Sequence, residues 1–144
     1  MKMYTIGFTE KPAREFFATL RKSGTKRVID VRLNNSSQLA GFAKKDDLAY
    51  FLREICNIDY VHIPLYAPTQ EILEMYKKGT MDWETYETKF RGLMRERHIE
   101  SEFPKQFFAN ACLLCSEHKP EFCHRRLVAE HLRERWGNLE IVHL

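Results

Sequence analysis

The chain has 144 residues, 44% hydrophobic and 30% charged, with a formal net charge of +3 and a pI near 8.7. This length and composition suit one globular domain, able to bury roughly two-thirds of its unfolded surface. The charge falls short of the footprint of a dedicated nucleic-acid binder, and no segment approaches the roughly 20 apolar residues of a membrane helix.

Met3, Tyr4 and Ile6 read as a strand where a signal peptide would be charged and then continuously apolar, so a cytoplasmic protein is expected. Four cysteines at irregular spacing do not resemble a secreted disulfide scaffold and are expected as thiols. The basic pairs Lys44-Lys45, Lys77-Lys78 and Arg125-Arg126 are scattered and read mostly as solvated surface. Nothing in the sequence sets the oligomeric state.

In chain order, Met1 to Ile6 is a strand stopped at Gly7. Pro12 opens a helix whose Ala13, Phe16, Phe17 and Leu20 recur at helical spacing, and Gly24 closes it. Val28-Ile29-Asp30-Val31 has the short, nearly continuous apolar character of a buried parallel strand. After the polar loop Asn34-Asn35-Ser36-Ser37, Asp46 or Asp47 is expected to cap a helix with Leu48, Phe51, Leu52 and Ile55 on one stripe. Asp59 to Ile63 is a third strand.

Thr69 caps a short helix to Lys78, and Asp82 opens a longer one with Trp83, Tyr86, Phe90, Leu93 and Met94 inward. Pro104 is its latest possible end. Ala111 to Cys115 is the fourth strand, and a loop from Ser116 to Glu121 leads to a last helix ended by Gly137. Leu139 to Val142 is a fifth strand. The order βαβαβααβαβ predicts a single α/β domain over residues 1–144. Its architecture is a mostly parallel five-stranded sheet with helices on both faces, a Rossmann-like or flavodoxin-like three-layer sandwich.

In such sheets ligands gather outside the carboxyl ends of the strands. Those ends read Gly7-Phe8-Thr9, Asp30-Val31-Arg32, Pro64-Leu65-Tyr66 and Cys115-Ser116-Glu117, and the third offers only apolar character. On the last helix, His124 and Arg125 share the inward face of Leu127, Val128, Leu132 and Trp136. A buried arginine needs a partner, and Asp30, Glu117 or a bound anion are the candidates. The helix N-terminus favours a thiolate at Cys123.

Cys112-Leu113-Leu114-Cys115 has the spacing of redox and zinc motifs, but positions three apart in a strand face opposite sides, so Cys112 reads as core. Cys56 is likewise read as core, and His98, His131 and His143 as surface or helix-face residues. A zinc site on Cys115, Cys123, His124 and His118 stays open, as does a Cys115–Cys123 redox pair; no metal is assigned. Without G-x-G-x-x-G, G-x-x-x-x-G-K-[ST] or G-x-S-x-G, neither a nucleotide cofactor nor a serine-hydrolase site is indicated. Glu121 and Ala129 stand where a phosphatase-type loop would carry its arginine. The cofactor is unknown.

The run Leu113-Leu114-Cys115-Ser116-Glu117 through Cys123-His124-Arg125 resembles the signature of the domain of unknown function 488 family. That pattern is a strand ending in Leu-Cys-x-Glu, a short proline-containing loop, and Cys-His-Arg at a helix start. The resemblance extends to Thr5-Ile6-Gly7 and Asp30-Val31-Arg32. It marks Gly7, Asp30, Arg32, Cys115, Glu117, Cys123, His124 and Arg125. The family often has His-Ser after its first glycine and a proline after Asp-Val-Arg, where this chain has Phe8-Thr9 and Leu33-Asn34-Asn35-Ser36. The resemblance implies no settled activity.

Three functional classes follow. The leading one is a small enzyme acting on an anionic substrate, with Cys115 or Cys123 as nucleophile and Glu117 or His124 as acid or base. Gly7, Asp30, Arg32 and Arg125 would then bind the substrate. The second is a module binding nucleic acid or a nucleotide through Arg32, Arg125 and surface lysines. The third is an interaction domain in which the cluster only stabilises the last helix.

Overall fold

The computed structural model describes residues 1–36 and 40–144. Five strands, β1 (Lys2–Gly7), β2 (Arg27–Asp30), β3 (Asp59–His62), β4 (Ala111–Cys115) and β5 (Glu140–His143), form one sheet in the order β3-β2-β4-β1-β5. Every pairing is parallel. Five helices cover it: α1 (Ala13–Ser23), α2 (Lys45–Phe51), α3 (Gln70–Lys77), α4 (Trp83–Arg97) and α5 (His124–Trp136). The three-layer α/β fold expected from the alternation is the fold observed.

The alternation of side chains along each strand splits the core in two. Tyr4, Ile6, Val28, Cys112 and Leu114 pack with Phe16, Phe17 and Leu20 of α1 and with Leu48 of α2. Met3, Ile29, Leu113 and Cys115 pack with Phe90 and Met94 of α4 and with Leu127, Val128 and Leu132 of α5. Cys112 and Cys115 thus lie in different layers, as strand geometry requires.

Local signals set most boundaries. Gly24 takes the left-handed conformation at φ 81°, and its N–H bonds the Arg21 carbonyl to end α1. Thr69 accepts a bond from Ile72 N, and Asp82 accepts one from Thr85 N, so both act as the expected N-caps. The second helix differs from expectation. Lys44 occupies its N-cap with no side-chain bond, while Asp46 and Asp47 sit in the first turn, where the helix dipole favours them. Its end winds as a π-turn over Leu52–Cys56, and the wider turn leaves Ile55 exposed, off the predicted stripe.

The strand order positions the site. β2 and β4 are neighbours, but the chain leaves β2 toward the α1/α2 layer and leaves β4 toward the α4/α5 layer. Adjacent strands whose continuations part in this way open a crevice at their carboxyl ends. Arg32 and Cys115 stand at that crevice. No helix is long and apolar enough to cross a membrane among the described residues.

Candidate functional site

A cavity of about 650 Å³ occupies the crevice. Its walls include Arg32, Cys115, Glu117, Cys123 and His124, together with Asn34, Gln70, Tyr76, Lys77, Tyr86 and Phe122. Five of the eight residues singled out in the sequence therefore meet in one pocket. The other three, Gly7, Asp30 and Arg125, do not line it but contact Arg32 or Glu117, which do.

Cys115 ends β4, and Cys123 is the N-cap residue of α5, so strand and helix deliver two thiols to one point. The His124 Nε2 lies 2.6 Å from the Val31 carbonyl oxygen. A carbonyl can only accept, so Nε2 carries the proton and Nδ1 is the free acceptor of the neutral ring. That Nδ1 stands 3.5 Å from the Cys115 Sγ. The neighbouring Cys123 thiol, the backbone N–H of Ser116 and the charge of Arg125 together hold the Cys115 thiol below its ordinary value, against the opposing effect of burial. Burial pushes the Cys123 thiol well up, and the nearby Cys115 adds to this. These surroundings favour Cys115 as the thiolate, where the helix N-terminus had suggested Cys123.

The sulfur atoms of Cys115 and Cys123 and a ring nitrogen of His124 lie within 4.8 Å of one another. His118, the fourth residue in the zinc alternative, turns instead to the Thr9 carbonyl and Lys11 Nζ.

Arg125, fully buried, partners neither of the carboxylates expected for it. Its Nη1 donates to the backbone carbonyl of Glu117, its Nη2 to that of His118, and its Nε to Thr5 Oγ1. Thr5 Oγ1 also meets His143 Nδ1 at 2.6 Å. The arginine is thus occupied in fastening the β4–α5 loop, leaving the Glu117 carboxylate exposed at the pocket. Gly7 completes the fastening. A Cβ there would stand 1.6 Å from the Glu117 carbonyl oxygen, so only glycine lets the loop cross β1. Gly7→Ala is expected to displace the loop and cost about 2–4 kcal/mol, read as a lowered urea midpoint.

Asp30 and Arg32 form a buried bidentate pair, with Nε donating to Oδ1 at 2.8 Å and Nη2 to Oδ2 at 2.7 Å. The Tyr60 hydroxyl also donates to Asp30. Arg32 Nη2 reaches the Ala43 carbonyl, whereas Nη1 is buried without a hydrogen-bond partner among the described residues. Phe8 places its ring 5.0 Å from this guanidinium, a cation–π contact. Phe8 thus covers an arginine.

The pocket wall contains groups the sequence reading missed. Gln70, Tyr76 and Lys77 come from α3, after the strand end judged merely apolar. Tyr86 was taken as apolar stripe, yet it lines the cavity, and burial followed by the nearby Cys115 and Cys123 raises its phenol pKa strongly. Helical periodicity reports which face is buried and is blind to the hydroxyl at the tip. His131, read as a surface or helix-face residue, is buried against Glu100 at 2.8 Å.

These ionisations have a consequence for stability. Burial, the leading cause in each case, raises the thiols of Cys112 and Cys123 and the phenols of Tyr60, Tyr66 and Tyr86 above their ordinary values of 9.0 and 10.0. Their protons bind more tightly in the folded state. The associated stability is full below the unfolded pKa and is lost as pH rises toward the folded ones. Cys115 and Lys11, both lowered, work in the opposite direction but are outnumbered. The urea midpoint is expected to fall steadily above about pH 9–10; a midpoint that stays flat to about pH 11 would contradict this burial pattern.

Residues 12–132 match the family described as Domain of unknown function DUF488. The chain belongs to this family. The match begins at Pro12, before α1, and runs into α5, so it covers the Asp30/Arg32 pair and the whole Cys115-to-Arg125 segment. Among curated proteins and among solved structures, no match is found. Membership in the family brings no activity with it, and the chemistry must be argued from the pocket.

Proposed function

We propose that the protein is a small thiol-dependent enzyme, with Cys115 as nucleophile and His124 as its proton partner. The observation that carries this reading is the 3.5 Å approach of His124 Nδ1 to Cys115 Sγ, with Nε2–H anchored on Val31, at the base of an open pocket. A nucleophile beside a base that a third group orients is the arrangement covalent catalysis requires.

In the proposed reaction His124 Nδ1 takes the Cys115 proton. The sulfur forms a bond to an electrophilic carbon of the substrate while that carbon's bond to its leaving group breaks. The proton on His124 passes to the leaving group. An incoming nucleophile such as water then attacks that carbon, giving up its proton to Glu117, whose carboxylate is exposed at the pocket. The C–S bond breaks with its electron pair returning to the Cys115 sulfur, and exchange with solvent takes the proton from Glu117 and restores the thiol. Arg32 Nη1, buried without a partner among the described residues, and Lys77 are the donors that would meet hydrogen-bond acceptors of the substrate. Asp30 and Arg125 act through position, the first by fixing Arg32 and the second by fastening the loop.

Incubation with small thioesters and activated esters tests the reading. Mass spectrometry should find an S-acyl adduct on Cys115 that is absent in Cys115→Ser and persists longer in Glu117→Gln. Failure to form the adduct, or purification with one equivalent of metal on Cys115, Cys123 and His124, would displace it.

A further inference from the structure

We infer that the pocket takes a flat, hydrogen-bonding ring of nucleobase or nucleoside size. The inference deepens the thiol-enzyme reading by naming the class of molecule presented to Cys115.

Tyr76, Tyr86 and Phe122 supply aromatic surface to the cavity wall. Trp83 backs all three, at ring-centroid distances of 5.7 Å to Tyr76, 4.8 Å to Tyr86 and 5.6 Å to Phe122. Phe122, immediately before Cys123, is nevertheless 61% exposed. A large apolar side chain held in solvent beside a reactive centre offers a stacking platform for a planar ligand.

Two amides bring complementary polarity. Gln70 Nε2 is engaged by Glu74 Oε1 at 3.0 Å, leaving the Gln70 side-chain oxygen as an acceptor. Asn34 Oδ1 accepts from Ser36 N at 3.1 Å, leaving the Asn34 amino group as a donor. One donor and one acceptor on the wall of an aromatic-lined pocket suit a ring edge that itself carries an acceptor and a donor, as a nucleobase does. The formal charges nearly cancel: Asp30 neutralises Arg32, Lys77 offsets Glu117, and Arg125 is enclosed by loop carbonyls. The ligand is therefore neutral or carries little charge, and the ring rather than a phosphate supplies most of its affinity. A volume of about 650 Å³ accommodates such a molecule.

The test measures Trp83 fluorescence and protection of Cys115 from iodoacetamide in the presence of adenosine, uridine, ribose 5-phosphate and a short single-stranded oligonucleotide. Trp136, the other tryptophan, packs on Phe108 in the core and serves as a constant background. Nucleosides should quench the emission saturably and slow alkylation, and ribose 5-phosphate should do neither. Phe122→Ala should weaken nucleoside binding by about tenfold or more with an unchanged melting temperature. Protection by the oligonucleotide at lower concentration than the nucleosides would support the ring and identify nucleic acid as its source. The inference is overturned if ribose 5-phosphate protects as well as the nucleosides, or if Cys115 alkylates freely whatever ring compound is present. An unreactive Cys115 accompanied by nucleoside quenching would overturn the catalytic reading and leave the ring site standing.

Discussion

Asp30→Ala should be among the most destabilising single substitutions in this protein, lowering stability by about 3–5 kcal/mol. Asp30 is fully buried and accepts from the Arg32 backbone N–H, from Arg32 Nε and Nη2, and from the Tyr60 hydroxyl. Its removal leaves a guanidinium that is only 3% exposed without a counter-charge. The cost comes from the stranded charge more than from the lost attraction, so the effects of removing both partners should not add. The double variant Asp30→Ala/Arg32→Leu is expected to be more stable than Asp30→Ala alone, by urea denaturation. A double variant as unstable as the sum of the two singles would show that the pair is not a closed unit.

The second large effect is chemical. Cys123 Sγ lies within 4.8 Å of Cys115 Sγ, and this neighbouring thiol is the foremost influence holding the Cys115 thiol down. A shift of one pKa unit is about tenfold in thiolate population, so Cys123→Ala should slow Cys115 alkylation near neutral pH about tenfold or more. Cys123→Ser retains a donor and should preserve most of the rate. Equal rates in the two variants would remove Cys123 from this role and leave the Ser116 N–H and the Arg125 charge as the remaining supports.

Much of this was legible in the sequence, and the exceptions have a common physical origin. The fourth strand was readable to the residue, because Ala111 to Cys115 is an apolar run bounded by Asn110 and Ser116. Thr69, Asp82, Gly24 and Gly137 announced helix ends through local bonding that needs no distant partner. The convergence of Cys115, Glu117, Cys123 and His124 followed from a short loop between a strand and an inward helix face.

What the sequence withheld was long-range. Arg125 was offered carboxylates because charge seeks charge, yet the loop crossing over Gly7 presents it with carbonyls instead. Asp30 was a candidate partner for Arg125 or a ligand, although residues two apart at a strand end share a face, and it closes on Arg32. The α3 wall of the pocket depends on how the segment after β3 folds back over the rim, and neither Gln70 nor Lys77 carries a local sign of this. Sheet order was equally hidden, since β4 inserts between β1 and β2, which are consecutive in sequence.

Whether Cys115 is the reactive thiolate of this pocket can be read from the pH dependence of its alkylation. Site-resolved mass spectrometry after brief iodoacetamide treatment across a pH series gives a midpoint for each cysteine. Cys115 should react first, with a midpoint below the ordinary thiol value of about 8.5, while Cys112 and Cys123 stay protected. A Cys115 midpoint at or above that value, or earlier reaction at Cys123, would contradict it.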